Sequence, residues 1–373
     1  MRKIITLLLM LLSIHVLAQE KRKLEIPDVL KSIVPYGTFE YGFGGNKHSL
    51  SIVDLIPRIG LKGSWAFDEN EEYSFFTKAE VSVKLSKKNT YIRISADPGS
   101  SPYGSPVGPF GARLGYIGIS TPYGSVSIGK QWGVHYTLAG NIDNMYMFGG
   151  DAIGVYNAGT DGGSSGTGRA DQSMKYEYTS DKFYIGVQSQ FYDSLADSIS
   201  GFGASSIASY YIIGNVKVGA SYSHTFDGIK NPQHGESIYG DQYASLYVGY
   251  TKEDFFMGIL ASKFNQHEKY HDIVTGKDVY YDGLAIEYNL KYNFGKDKRW
   301  AFVQNSSINL PDADQNTKYV NNRYSFELAR RFSLNTVVFA GFRFDNNTMS
   351  NGDKNYIHTV AIGLYYNFNY PVP

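Results

Sequence analysis

From Glu287 to Phe294 the side chains alternate without a break: Tyr288, Leu290, Tyr292 and Phe294 on one face, Glu287, Asn289, Lys291 and Asn293 on the other. Successive residues of a strand point to opposite faces, so this period of two specifies a two-faced strand. The same pattern runs through Arg58 to Phe67, where Ile59, Leu61, Trp65 and Phe67 oppose Arg58, Lys62 and Ser64. It recurs at Lys78 to Leu85, where Ala79, Val81, Val83 and Leu85 oppose Lys78, Glu80, Ser82 and Lys84. The polar face decides the architecture. A sandwich buries its inner face and could not hold Lys78, Glu80 and Lys84 together there without a heavy desolvation cost. The water-filled lumen of a transmembrane β-barrel accepts them, while the apolar face meets lipid.

Alternating runs predict strands at 36–45, 52–67, 72–86, 111–120, 124–132, 172–179, 182–192, 204–213, 215–226, 240–251, 254–265, 279–294, 299–309, 319–331, 335–345 and 356–368. The count of sixteen is even, as a closed antiparallel barrel with both termini on one side requires, and a barrel of this size encloses an aqueous channel. Tight turns such as 68–71, 121–123, 180–181 and 252–253 alternate with longer loops at 86–110, 227–239, 265–278 and 310–318. Short periplasmic turns and long outer loops have this asymmetry. The competing fold is an all-β secreted soluble protein.

Arg2 and Lys3, the apolar run Ile4 to Leu12, and Val16-Leu17-Ala18 before Gln19 read as a secretory signal peptide over residues 1–18, leaving 19–373 as a single domain. The run is too short for a spanning helix, which needs roughly 20 apolar residues. Cysteine is absent, so neither disulfides nor a lipid-modified cysteine at the cleavage site is available. Removing the leader takes two of the 35 basic residues with it and leaves a slight acidic excess, which gives nucleic acid no partner.

One segment breaks the rhythm. Between Lys130 and Arg169, residues 133–168 contain ten glycines, three aspartates (Asp143, Asp151, Asp161) and no lysine, arginine or glutamate. An irregular stretch of that length is uncommon and usually functional or disordered. Tyr136, Tyr146, Met147, Phe148 and Tyr156 give it apolar surface with which to pack. It reads as a loop folded into the pore.

Four stretches, in order along the mature chain, resemble the trimeric general porins of Gram-negative outer membranes. Pro57 to Gly63 resembles their basic second strand, and Gly124 to Gly133 the strand feeding their inward-folded loop. Asp143 through Phe148-Gly149-Gly150-Asp151, followed by Gly168-Arg169, resembles that loop's acidic tip and Phe-Gly-Gly turn; Thr359 to Phe368 resembles the closing strand. The resemblance implies an outer-membrane homotrimer, inserted by the barrel-assembly machinery among lipid and lipopolysaccharide, that passes small hydrophilic solutes and ions without a cofactor. It also implies a constriction where Asp143 faces a basic wall of Arg58, Lys130 and Arg169, with Lys62 on the same face as Arg58.

Two departures bear on function. The family's second loop acid, before the Phe-Gly-Gly turn, is Met147 here, which removes a negative charge and tilts the expected preference toward anions. The family's chains end at the phenylalanine, whereas residues 369–373 follow Phe368; Pro371 and Pro373 cannot continue a strand ladder, so a short periplasmic tail is expected. The parity of Lys130 matches Val126 and Ile128 rather than a lumen face, so either a bulge or the strand's end re-aims it, or that strand's inner face is locally apolar. The 86–110 loop matches in position the one that latches onto a neighbouring subunit. Trp65, Tyr288, Tyr292 and Phe368 would be lipid-facing anchors at the interfaces.

Other chemistries fare worse. Gly163 to Ala170 has the glycine spacing of a phosphate loop, but Arg169 and Ala170 replace the required Lys and Ser/Thr. His135, His224 and His358 lack metal-ligand spacing. No serine sits in a nucleophile-elbow pattern, which argues against an outer-membrane barrel hydrolase. A substrate-selective channel for sugars, phosphate or other anions is the nearer alternative, with Tyr136, Tyr146 and Tyr156 as a sugar slide.

Overall fold

The computed structural model describes residues 32–55, 57–83, 110–156, 166–191, 202–226, 229–230, 237–238, 241–315 and 317–369. Its strands are β1 Ile33–Gly45, β2 Leu50–Asp54, β3 Arg58–Ala66, β4 Ser74–Val83, β5 Phe110–Thr121, β6 Gly124–Trp132, β7 Arg169–Thr179, β8 Phe183–Phe191, β9 Phe202–Ile213 and β10 Val216–Thr225. A two-residue hairpin, β11 Ile229–Lys230 and β12 Ser237–Ile238, stands apart from the main sheet. Then come β13 Gln242–Lys252, β14 Phe255–Asp272, β15 Lys277–Phe294, β16 Trp300–Pro311, β17 Asn321–Arg331, β18 Thr336–Thr348 and β19 Lys354–Asn369. Neighbours pair antiparallel, and β1 closes the barrel on β19 from Tyr36↔Asn369 to Gly45↔Val360.

The main sheet has seventeen strands, yet the barrel has sixteen positions. Residues 41–45 of β1 pair with β2 and residues 33–38 with β3, so these two are one strand broken at residues 55–57. Pro57 has no amide to donate, and the Leu55 N–H turns to the Glu40 carbonyl at 3.0 Å. Leu55 itself is fully buried against the loop residues Met147 and Phe148 and the wall residue Phe339. The continuous run 52–67 therefore splits.

The alternation points as the sequence predicts. Along β13, Tyr243, Ser245 and Tyr247 are buried inside, while Leu246 and Val248 stand exposed outside. Met257, Ile259, Leu284, Val360, Ile362 and Leu364 extend this exposed apolar belt. In water such a belt would drive aggregation; against hydrocarbon it is the solvated face. Of the anchors, Phe368 stacks on the outward Phe39 with centroids 5.9 Å apart.

Several boundaries shift. The expected 265–278 loop is instead strand: β14 runs on to Asp272 and β15 starts at Lys277, past a bulge between Phe264 and Glu268 where Gln266 takes φ 50°. The closing strand carries one residue past Phe368, because Asn369 pairs with Tyr36. The leader 1–18, most of the 86–110 loop, Asp161 and the tail beyond Asn369 lie outside the described residues.

Candidate pore constriction

After β6 the chain turns into the lumen, its neck closed by the Gly133 N–H donating to Gly168 O at 2.7 Å. It forms the short helix α1, Val134–Ala139, then a 3-10 turn, Gly140–Ile142. Leu138, Ile142, Ile153 and Val155 are fully buried against Tyr247 and Leu260 of the wall. Their approach needs glycine on the strands: a Cβ at Gly219 would stand 2.4 Å from Leu138 Cδ1, and one at Gly258 2.8 Å from Ile142 Cγ2. Further on, Met147 and Phe148 pack with Leu55, Val337 and Phe339, and Ala152 with Tyr243, Phe264 and Tyr281.

The wall also grips the loop's main chain. Glu327 on β17 accepts the N–H groups of Tyr146 (3.1 Å) and Met147 (2.9 Å). Glu287 on β15 accepts those of Gly150 (2.9 Å) and Ala152 (2.6 Å), with Asn305 Nδ2 as a third donor at 2.8 Å. Three successive carbonyls are met in turn: Ala152 by Tyr243 Oη–H (3.2 Å) and Gly154 by His267 Nε2 (2.9 Å) from the wall, and Ile153 between them by His135 Nε2 of the loop's own helix α1 (2.7 Å). Burial pushes the His135 imidazole down to about 4, so it is neutral: Nε2–H donates to Ile153, and Nδ1 accepts from the Ser221 hydroxyl at 2.8 Å. Satisfying these backbone groups where the loop packs on the wall lets an irregular segment lie inside a barrel.

Because the loop lies against β8 to β19 and the Leu55 break, the wall of β3 to β5 stays open. There a cavity of about 420 Å³ is lined by Arg58 and Lys62 of β3, Lys78 and Glu80 of β4, and Arg113 of β5. From the loop side come Asp143, Tyr136 and Tyr156. Glu80 is fully engaged: Arg113 Nε lies 2.7 Å from Oε1, the Tyr36 hydroxyl donates to Oε2 at 2.9 Å, and Arg58 Nε is 3.8 Å away. Asp143 accepts the Tyr156 hydroxyl at 3.1 Å. Four cations thus share the cavity with two carboxylates.

The residues singled out by sequence divide. Arg58, Lys62 and Asp143 meet at this cavity. Arg169 stands behind it, 2 % exposed, its guanidinium 5.0 Å from the Trp132 ring, which stacks at 3.8 Å on Tyr136. Lys130 keeps its outward parity and lies 3.1 Å from Asp171, at the bulge between β6 and β7; it does not line the cavity. Asp151 is buried in an ion pair with Arg323, so its charge holds the loop to the wall. Met147 and Phe148 face the wall as packing groups, and Phe148 takes φ 59°. Of the tyrosines, Tyr136 and Tyr156 line the cavity, whereas Tyr146 stacks on Phe339 at 4.9 Å.

Sequence reasoning missed Arg113 as a wall cation. Its parity matches the outward Ile117 and Ile119, but the register shift between Glu80 and Val81 turns it inward. Nothing in the alternation announces that bulge.

A closed, lipid-facing β-barrel narrowed by an internal loop defines a class, the outer-membrane channels. The family profile for Gram-negative porins matches residues 36–369, and the chain belongs to that family. No curated protein sequence matches it. Among solved structures it is similar to Salmonella typhi OmpF in complex with daunomycin (TM-score 0.69, 16% identity, covering 90% of this chain and 97% of that one). It is also similar to the anion-selective porin from Comamonas acidovorans (0.64, 13%, 90% and 99%) and to the trimer form of OmpT, an outer membrane protein of Vibrio cholerae (0.63, 15%, 90% and 99%).

Proposed function

We propose that this porin is a passive-diffusion pore for small hydrophilic solutes and ions, constricted between Asp143 and the Arg58, Lys62, Lys78, Arg113 wall, and that it prefers anions. The observation that carries this is the imbalance in the cavity: Glu80 is held by Arg113, Arg58 and Tyr36, which leaves Asp143 as the loop's acid there. Permeant ions keep much of their water in such a lumen, so charge biases selectivity without closing the pore to the other sign. The porin from Comamonas acidovorans, which shares the fold, is described as anion-selective, and that likeness supports the reading.

On the same reading the chain is exported by a cleaved leader at residues 1–18 and works as a homotrimer, surrounded by lipid and lipopolysaccharide after delivery by the barrel-assembly machinery. The reading calls for no cofactor. The test is the zero-current potential of the purified protein in a planar bilayer under a KCl gradient. Its sign is expected to report chloride preference, and strong cation preference would overturn the assignment.

A further inference from the structure

Lys62 and Lys78 lie directly opposite each other on β3 and β4. Side chains in such positions have Cβ atoms about 5 Å apart, and like charges there are destabilising. Both ammonium groups stand over the Tyr36 ring, at 5.9 and 5.1 Å from its centroid. Among the described residues neither lysine has an ion-pair partner within 4 Å, and the nearby carboxylate, Glu80, is already engaged by Arg113, Arg58 and the Tyr36 hydroxyl. Both open onto the 420 Å³ cavity, below Arg58 in the direction of the periplasmic turn between β3 and β4.

We propose that Lys62 and Lys78 form a binding subsite for solutes carrying two negative charges on oxygen, such as a dicarboxylate or a phosphate. The inference rests on the pore reading above and deepens it: the constriction selects among anions, beyond favouring them. A doubly charged solute relieves the repulsion between the lysines, whereas chloride or a monocarboxylate neutralises one at a time. Tyr36 supplies the floor, its ring face toward both ammonium groups and its hydroxyl turned away to Glu80.

The test is ion current through the native pore in planar bilayers, titrated with succinate, inorganic phosphate at pH 8, or acetate as the singly charged control. Succinate or phosphate is expected to reduce chloride current saturably, and acetate to give no saturation. Lys62→Gln and Lys78→Gln should each raise the half-blocking concentration by roughly fivefold, a modest effect because an aqueous lumen screens single contacts. Lys291→Gln, a lumen cation outside the cavity, should leave it unchanged. Chloride conductance retained in each variant establishes that the barrel has folded. Block by succinate alone identifies a carboxylate source, and block by phosphate alone a phosphate source; either supports the subsite. Equal saturation by acetate, no saturation by either dianion, or insensitivity to both lysine variants would overturn it while the pore reading stands. Absence of any conductance by the wild-type protein would instead sink the pore reading.

Discussion

Glu287→Gln tests how the loop is held. In the native protein one carboxylate serves three N–H donors, those of Gly150, Ala152 and Asn305, with no other hydrogen-bond partner on it among the described residues. Glutamine is nearly isosteric but keeps one acceptor oxygen; its NH₂ must then face a donor. At least one buried loop amide loses its partner, and the survivors lose charge assistance. Hydrogen bonds to charged groups contribute about 1.5–3 kcal/mol. With tenfold per 1.4 kcal/mol, local opening of the loop should rise roughly 10- to 100-fold. Hydrogen–deuterium exchange in detergent micelles reads this directly, comparing peptides spanning 146–156 with peptides from β14. Faster exchange confined to the loop, together with noisier single-channel current, is the expected result. Loop exchange within about twofold of wild type would refute the idea that wall glutamates hold the constriction in place.

Asp143→Asn should move the zero-current potential further toward the chloride limit, and Arg58→Gln should move it back, whereas Lys130→Gln should leave it unchanged because Lys130 stands outside the cavity. Gly154→Ala should loosen the loop, since the backbone there has φ +68° and a Cβ would stand 2.2 Å from the Tyr243 ring; a change in conductance with the barrel's heat-modifiable mobility preserved would show it. Hydroxyls of Ser350 and Thr275 and the Val274 N–H hold the Asp272 carboxyl down at about 2, below its ordinary 3.8. A depressed carboxyl stabilises the folded state fully above its unfolded value and loses that contribution as pH falls through the folded one. Pepsin susceptibility of the β14–β15 hairpin tip should therefore increase only below about pH 4.

Most of the barrel was legible because lipid and lumen impose period two on every strand, and 124–132 has the predicted bounds to the residue. The break at residues 55–57 was hidden because Leu55 serves the loop, a contact about ninety residues away that leaves no local mark. The β14–β15 extension was hidden because residues 266–272 are largely polar, so no apolar face marks them as strand. Of the residues lining the cavity, Arg58 and Asp143 were placed by position in the family pattern and Lys62 and Lys78 by alternation. Arg113 was not, since a bulge inverts its face. Asp151 looked like a pore acid, and only the distant Arg323 gives it a structural task.

Besides the packing of its apolar side chains and the Asp151–Arg323 pair, the wall's hydrogen bonds to the loop fall mostly on peptide groups: the amides of residues 146, 147, 150 and 152 and the carbonyls of 152 and 154. Every amino acid but proline offers the same N–H and C=O, so these attachments do not specify which side chain sits at the aperture. The bore and its chemistry are therefore separable. Residues such as Asp143 or Tyr136 can be exchanged to retune what passes while the loop stays where it is, and pore engineering can treat the cavity-facing side chains as replaceable fittings on a fixed mount.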